Sequence, residues 1–211
     1  MGCNDRCRKI LLMLTMSLLL LSVPALAADD QGPLRVIQSG TEKALEIIQN
    51  RKPDGKLHLR ERRNEILQIV DQYFDFEEMA RRSLGAGWKN QPPQKQETFV
   101  KLFKDLLFNT YVDRVENYTA SNEKVVFDGQ KLDGDYAVVN TRVTGFKGGD
   151  VDVIYSLRVR NGQWKVYDVV IAGVSLVNNY RSQFSSILAK QSFDDLLKTM
   201  NEKVSALNKP V

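Results

Sequence analysis

The chain has 211 residues, of which 43% are hydrophobic, 27% charged and 9% aromatic, and its formal net charge is +4 at pH 7. This composition is typical of a folded globular protein and excludes disordered or collagen-like chains. The weak positive charge does not indicate a nucleic-acid partner. One histidine, His58, is present, which argues against multi-histidine metal sites and Ser-His or Cys-His catalysis.

The first 27 residues have the pattern of a cleavable secretory signal peptide. Basic residues precede an apolar run over 10–21, and a small-x-small cleavage motif ends at Ala27. The run is shorter than the roughly 18 apolar residues that a membrane helix needs. Both cysteines, Cys3 and Cys7, would leave with this segment. We therefore expect an exported, soluble domain over 28–211 without a disulfide or thiolate site.

The exported part begins with apolar residues at helical spacing. A first helix follows Pro33 and ends near Asn50, ahead of the turn signal at 53–55. A second helix carries the apolar residues between Ile66 and Tyr73. Next comes a short third helix, for which Asp75 is the predicted N-cap and Gly85 the predicted stop.

The longest predicted helix runs over about 94–118 and has an unusually wide apolar surface. One stripe includes Phe99, Phe103 and Tyr111, and a second includes Phe108 and Val112. A surface helix needs an apolar arc of only about 100°. This helix is therefore predicted to lie between two layers or to border an internal space.

From Lys124 onward the hydrophobic period changes to two, which predicts β-strands. The Asn161-Gly162 pair is a strong hairpin signal between the last two strands. The predicted strands are 125–127, 137–143, 151–160 and 163–171. Short turns between them indicate an antiparallel meander whose apolar face must be covered by the helices.

Two helices are predicted after the sheet, one opened by Ser175 and one by a capping box of Ser192 and Asp195. The predicted fold class is α+β, with a curved four-stranded antiparallel meander covered by N-terminal and C-terminal helices.

Gly173-Val174-Ser175 also invites a nucleophile-elbow interpretation, but Val177 replaces the second glycine of that motif. A capping role for Ser175 is favoured.

Asp168 is the candidate for an enzymatic alternative. By strand alternation it shares a face with Trp164, Val166 and Val170, and burial there would raise its pKa. It could then act as the proton-abstracting base of a cone-fold isomerase or hydrolase. The favoured alternative is that this strand lies near an edge of the sheet, or that Asp168 forms an ion pair with an arginine such as Arg158 or Arg181.

Two charge runs, 60–63 and Arg81-Arg82, are expected to be solvated helix faces. Their functional alternative is a docking surface for an acidic partner or for lipid phosphates. No Gly-rich phosphate loop, EF-hand pattern or recognisable carboxylate pair is present in the sequence. We therefore expect no cofactor and no metal.

Three ordered segments resemble the MlaC or toluene-tolerance family of periplasmic phospholipid-binding proteins, and the resemblance extends over about 28–207. The segments are FDFEEMARRSLGAGW (Phe74–Trp88), QETFVKLFKDLLFNTY (Gln96–Tyr111) and WKVYDVVIAGVSLVNNYRSQF (Trp164–Phe184). The resemblance implies one cone-shaped, cystatin- or NTF2-like α+β domain that encloses phospholipid acyl tails and has no catalytic residues. It also implies two docking partners, an inner-membrane ABC transporter complex and an outer-membrane lipoprotein complex, and a role in outer-membrane lipid asymmetry. We expect a periplasmic monomer.

Under this hypothesis, the tails occupy a cavity of about 1,000 Å³ between the long helix and the apolar face of the sheet. Periodicity selects the predicted lining residues, and plain core packing is the alternative for each of them. They are Phe99, Phe103, Leu106, Leu107, Tyr111, Val139, Val153, Tyr155 and Val166. An interaction module with a filled core is the third hypothesis.

Overall fold

The computed structural model of the chain describes residues 32–50, 56–116, 123–145 and 149–207. The predicted signal peptide and the turn at 53–55 lie outside these ranges, so both stay predictions. The described elements are α1 (Pro33–Asn50), α2 (Lys56–Tyr73), α3 (Phe76–Leu84), a 3-10 helix (Gly85–Asn90), α4 (Pro93–Glu116), β1 (Lys124–Asp133), β2 (Tyr136–Thr144), β3 (Val151–Arg160), β4 (Gln163–Ile171), β5 (Val174–Ser175), α5 (Leu176–Leu188) and α6 (Phe193–Leu207).

The predicted helix ends of α3 are confirmed. The Asp75 carboxylate accepts a hydrogen bond from the backbone N–H of Glu78 at 3.1 Å, which satisfies one of the free donors of the first turn. At the other end, Gly85 has a φ of +61°, a conformation that suits glycine and stops a helix. The capping box of α6 is also confirmed, since Ser192 Oγ accepts from the Asp195 N–H at 3.2 Å.

The long helix α4 packs against other helices, and whether it also borders an internal space stays a prediction. Its backbone approaches α6 and α3 closely. The helices whose backbones come closest to the sheet are α1, α2, α3 and α5. No helix in the described part of the chain combines the length and apolarity needed to cross a membrane.

The sheet is antiparallel, with the order β1-β2-β3-β4-β5. The four predicted strands are present, and β1 extends six residues beyond the predicted Phe127 to Asp133. The fifth strand, Val174–Ser175, was not predicted, because a two-residue strand has no readable period. Asn161 and Gly162 have φ values of 51° and 75°, as a two-residue hairpin requires.

One face of the sheet is buried and the other faces outward. Successive strand residues point to opposite sides, and on β3 Leu157 has no accessible surface whereas its neighbour Arg158 is partly exposed. The buried face, called here the inner face, joins the helices in one hydrophobic core. This arrangement confirms the predicted α+β class, with helices on one side of an antiparallel sheet.

Candidate functional site

The inner face of the sheet forms a wall of mostly apolar side chains. Val139 on β2 lies opposite Tyr155 on β3, and Thr141 lies opposite Val153. The next strand, β4, continues the wall with Val169 opposite Tyr155. Because strand residues alternate between faces, all of these side chains point toward the helices.

One part of the interior is a closely packed aromatic cluster, which we call the closed half. Phe99 and Phe103 of α4 have no accessible surface. The Phe103 ring centroid lies 5.3 Å from that of Tyr180, and the Phe99 centroid lies 5.4 Å from that of Phe184. Phe193 of α6 completes the cluster at 5.8 Å from Phe99. Edge-to-face contacts at these distances are favourable beyond the area they bury.

A second part of the interior, called the open half, keeps accessible surface. It consists of Tyr111 on α4, Val153 and Tyr155 on β3 and Ile171 on β4, all partly buried and packed against the core. Burial raises the pKa of the Tyr155 hydroxyl, and the hydrogen bond with Thr141 opposes that rise. Protein therefore surrounds Tyr155 closely, although its side chain is not completely covered.

The nine residues predicted to line a cavity divide between these halves. Six of them are buried in the core, and Tyr111, Val153 and Tyr155 are partly buried. The buried six are Phe99, Phe103, Leu106, Leu107, Val139 and Val166. Full burial and partial burial are both compatible with plain core packing, so contact with a ligand stays a prediction.

Two surface depressions in the described part of the chain are lined by other residues. One, of about 250 Å³, is bordered by carboxylates and arginines that include Asp75, Glu78 and Arg158. The other, of about 460 Å³, includes Phe76 and Lys104. Neither contains a residue of the predicted set. In the sequence, the first depression could have been found from β3, where Arg158 and Arg160 alternate with apolar residues.

The prediction that Asp168 shares the inner face with Trp164 and Val166 is wrong. A β-bulge shifts the register, so that Ser156 pairs with Asp168 whereas Leu157 pairs with Val166. One extra residue reverses the facing of every residue beyond it. Asp168 therefore lies on the face opposite Val166.

Asp168 has a structural role that sequence reasoning did not identify. Its carboxylate accepts hydrogen bonds from Ser175 Oγ at 2.6 Å and from the Val177 N–H at 3.0 Å. The expected pairing with Arg158 is also wrong, since Arg158 contacts Asp75 and Glu78. The predicted cap is confirmed, because Ser175 Oγ accepts from the Asn178 N–H at 3.0 Å. Asp168 thus supports the start of α5.

The charge runs match the expected solvated faces only in part, because the side chains at 60, 61 and 81 are exposed and the others pack against the protein. Arg62 is buried, and Arg63 forms an ion pair with Asp113 of α4. Arg81 and Arg82 both bind the buried carboxylate of Glu78, each with a shortest separation of 2.6 Å. Within the described ranges, no group of three or more His, Cys, Asp or Glu side chains is placed to hold a metal ion.

The fold and its apolar inner face define a class of α+β proteins in which helices cover one side of a curved antiparallel sheet. Residues 38–202 match the family model described as MlaC protein. The chain belongs to the MlaC family.

Relatives and a solved structure agree with this assignment. The Intermembrane phospholipid transport system binding protein MlaC of Haemophilus influenzae is 29% identical over 203 residues, 94% of each chain. The toluene tolerance protein ttg2D of Pseudomonas putida is 26% identical over 185 residues, 87% of this chain and 85% of the relative. The phospholipid-binding protein from Ralstonia solanacearum, solved in complex with a phospholipid, matches with a TM-score of 0.72 and 26% identity. That match covers 86% of this chain and 100% of the other.

Proposed function

We propose that this protein is a non-enzymatic phospholipid carrier of the periplasm. In this proposal it encloses the acyl tails of a phospholipid and moves the lipid between an outer-membrane lipoprotein complex and an inner-membrane ABC transporter complex. The transfer would maintain the lipid asymmetry of the outer membrane. Family membership over 38–202 and the phospholipid bound to the related Ralstonia solanacearum protein support the lipid as ligand.

A carrier is needed because lipid tails are costly to expose to water. Each methylene costs about 0.8 kcal/mol, so two acyl chains of about 15 methylenes each would cost on the order of 20 kcal/mol. Thermal motion does not cross such a barrier at a useful rate. A protein lowers it by offering the tails an apolar interior.

The observation that carries the proposal is the incomplete cover of Tyr155. Its ring projects from the inner face, and protein surrounds its hydroxyl closely enough to raise the pKa. The same side chain still keeps accessible surface. We propose that the accessible side of this ring faces the space that the acyl tails occupy. Val153 and Ile171 are also partly buried, and the proposal places them along the same space.

The predicted lining set takes two roles in this proposal. Tyr111, Val153 and Tyr155 contact the tails, and the six buried members pack behind them as a rigid backing. Interiors packed to normal density transmit and resist strain. The closed half would therefore hold its shape while the side chains of the open half adjust to lipid length.

Energy for net transport has to come from the partners. The sequence has no Gly-rich phosphate loop, so the proposal assigns no nucleotide hydrolysis to this chain. A carrier moves lipid in one direction when its partners differ in affinity for the loaded and empty forms. We propose that the chain acts as a monomer that meets one complex at a time.

Lipid retention by the purified protein tests the ligand assignment. Native mass spectrometry under gentle conditions should show wild type carrying a diacyl phospholipid. Val153→Trp, which fills the open half, should lose most of this lipid. The control Val126→Trp adds the same side chain to the outward face of β1, where Val126 is 41% exposed, and should retain it.

Wild type without diacyl lipid would refute the carrier, and equal lipid in both tryptophan variants would refute the assigned space. Transfer is tested with a fluorescent phospholipid that moves between the protein and vesicles holding each reconstituted membrane complex. Vesicles with either complex should accelerate exchange over empty vesicles. Equal rates would leave a lipid-binding protein without the proposed shuttle role.

A further inference from the structure

Four arginines gather on the side of the sheet that faces away from the core. Arg158 and Arg160 belong to β3, and Arg81 and Arg82 belong to α3. We call these four residues the arginine cluster. Arg81, Arg158 and Arg160 border a depression of about 250 Å³, which is large enough for a carboxylate side chain and far too small for acyl tails.

Buried carboxylates hold the arginine cluster in place. Glu78 lies 2.6 Å from Arg81 and from Arg82, and 3.0 Å from Arg158. Asp75 contacts Arg160 and lies 3.3 Å from Arg158. Burial would raise the pKa of Glu78, but hydrogen bonds from Arg81 and Arg82 outweigh it and hold the value at about 2. The Glu78 carboxylate is therefore ionised and orients the guanidinium groups around it.

The arginines are much more accessible than the two carboxylates at the centre of the cluster. The Asp75 and Glu78 side chains are 0% and 4% exposed, whereas Arg81 is 47% and Arg160 is 37% exposed. Glu77, which is 58% exposed, pairs with Arg160. Four guanidinium groups face three carboxylates, two of which are hidden. A molecule approaching from solvent therefore meets a cationic surface with N–H donors to offer.

Aromatic side chains adjoin the cluster. The Arg82 guanidinium carbon lies 4.1 Å from the centroid of the Tyr167 ring, and Tyr167 makes an edge contact with Tyr136 at 6.1 Å. Tyr136 is 46% exposed. Arginine and tyrosine are enriched in the energetically dominant parts of protein–protein interfaces, and lysine is depleted there.

The sheet separates this surface from the interior. Arg158 follows Leu157, which is fully buried on the inner face, so the two side chains point to opposite sides. A phospholipid whose tails occupy the interior would not reach the arginine cluster with its phosphate. The surface therefore suits a protein partner better than the headgroup of the transported lipid.

We infer that the arginine cluster, together with Tyr136 and Tyr167, is a docking surface for an acidic segment of a protein partner. The partner's carboxylates accept hydrogen bonds from the guanidinium groups, and its neighbouring side chains pack on the two tyrosines. The buried carboxylates keep the cluster oriented before the partner arrives, which reduces the entropy lost on binding. The inference goes beyond lipid binding and does not depend on it.

Binding of a defined acidic peptide tests the surface. Fluorescence anisotropy with fluorescein-labelled octaglutamate should show saturable binding to the full-length protein that weakens as salt increases. Arg81→Gln/Arg82→Gln should weaken the affinity at least about tenfold. The control Lys198→Gln/Lys203→Gln removes the same charge from α6, away from the arginine cluster, and should change the affinity by less than about twofold.

Phosphate and vesicle binding distinguish a peptide site from an anion site or a membrane surface. Inorganic phosphate at millimolar concentration should not displace the peptide, and vesicles of phosphatidylglycerol should bind wild type and the arginine variant equally. Equal peptide affinity of the two double variants, or no peptide binding by wild type, would overturn the inference. If the substitutions at Arg81 and Arg82 reduce vesicle binding but not peptide binding, the inference is also overturned in favour of a membrane surface.

Lipid mass and urea unfolding of the same variants distinguish this inference from the carrier proposal. Arg81→Gln/Arg82→Gln should fold and retain lipid while losing the peptide, because neither arginine reaches the interior. Arg160→Gln is a second variant with an independent position on β3 and should lose the peptide too. A wild type that binds the peptide but carries no lipid would leave the docking surface standing and refute the carrier.

Discussion

The two faces of the sheet are stabilised by different kinds of interaction. On β3, Tyr155 and Leu157 project inward to an apolar interior, whereas Arg158 and Arg160 project outward to carboxylates. The inner face depends on apolar burial, which responds weakly to pH and salt. The outer face depends on ion pairs, which respond to both. A single strand thereby separates a surface suited to lipid tails from one suited to acidic groups.

The largest expected loss of stability follows a substitution in the closed half of the interior. Phe103→Ala removes a fully buried ring in contact with Tyr180 and Phe184, and should lower the free energy of unfolding by about 3–5 kcal/mol. Urea unfolding measures this, and the loss should be the same at low and high salt. Val126→Ala on the outward face should stay within about 0.5 kcal/mol of wild type. Equal losses in the two variants would contradict the division between faces.

Acid should weaken the outer face of the sheet more than the apolar inner face. The pKa of Glu78 is about 2 in the folded protein against an ordinary value of 4.5. Its contribution is therefore complete above pH 4.5 and is lost as the pH falls toward 2. The full difference amounts to about 3 kcal/mol.

Urea unfolding of wild type and Glu78→Gln at several pH values checks this window. The variant should be less stable at pH 7 and should lose less stability between pH 4.5 and 2. Parallel pH curves for both proteins would show that Glu78 contributes nothing to acid sensitivity.

Asp168→Asn should have a smaller effect that also decides between carrier and enzyme. The change weakens the charged hydrogen bonds to Ser175 and Val177 and should cost about 1–2 kcal/mol. Bound lipid should be unaffected, because Asp168 lies on the face opposite Val166. A variant of unchanged stability that loses turnover of some substrate would support the isomerase or hydrolase alternative instead.

The smallest expected loss of stability compares a residue of the open half with a fully buried neighbour on the inner face. Val153→Ala should cost less than about 1 kcal/mol, because Val153 already keeps accessible surface. Val139→Ala, on the adjacent strand with no accessible surface, should cost about 2 kcal/mol. Lipid content should fall more in Val153→Ala than in Val139→Ala. The reverse order of either measurement would place the internal space elsewhere.

Local signals predicted most of the elements correctly. Asp75 and Ser175 cap their helices, and Asn161-Gly162 closes a hairpin, because each of these residues acts on backbone groups within a few positions of itself. The period-two pattern located the four main strands for the same reason, since alternation is a property of one strand alone. Family resemblance, read from three segments, is confirmed by the match over 38–202.

Features that depend on distant residues could not be read in this way. The bulge that turns Asp168 away from the inner face depends on how β4 pairs with β3. The arginine cluster brings Asp75 together with Arg160, 85 positions apart in the chain. Periodicity chose Phe99 and Tyr155 equally well for the apolar set, but only the packing around them covers one ring completely and leaves the other partly open.

The sequence by itself determined the order of helices and strands, their caps and turns, and which side of each regular segment is apolar, because these follow from backbone geometry and nearest neighbours. Tertiary structure alone decided the register at the bulge, the division of the interior into closed and open halves, and the meeting of α3 with the outer face of β3. Those outcomes depend on contacts between segments far apart in the chain, for which one-dimensional spacing carries no distance information.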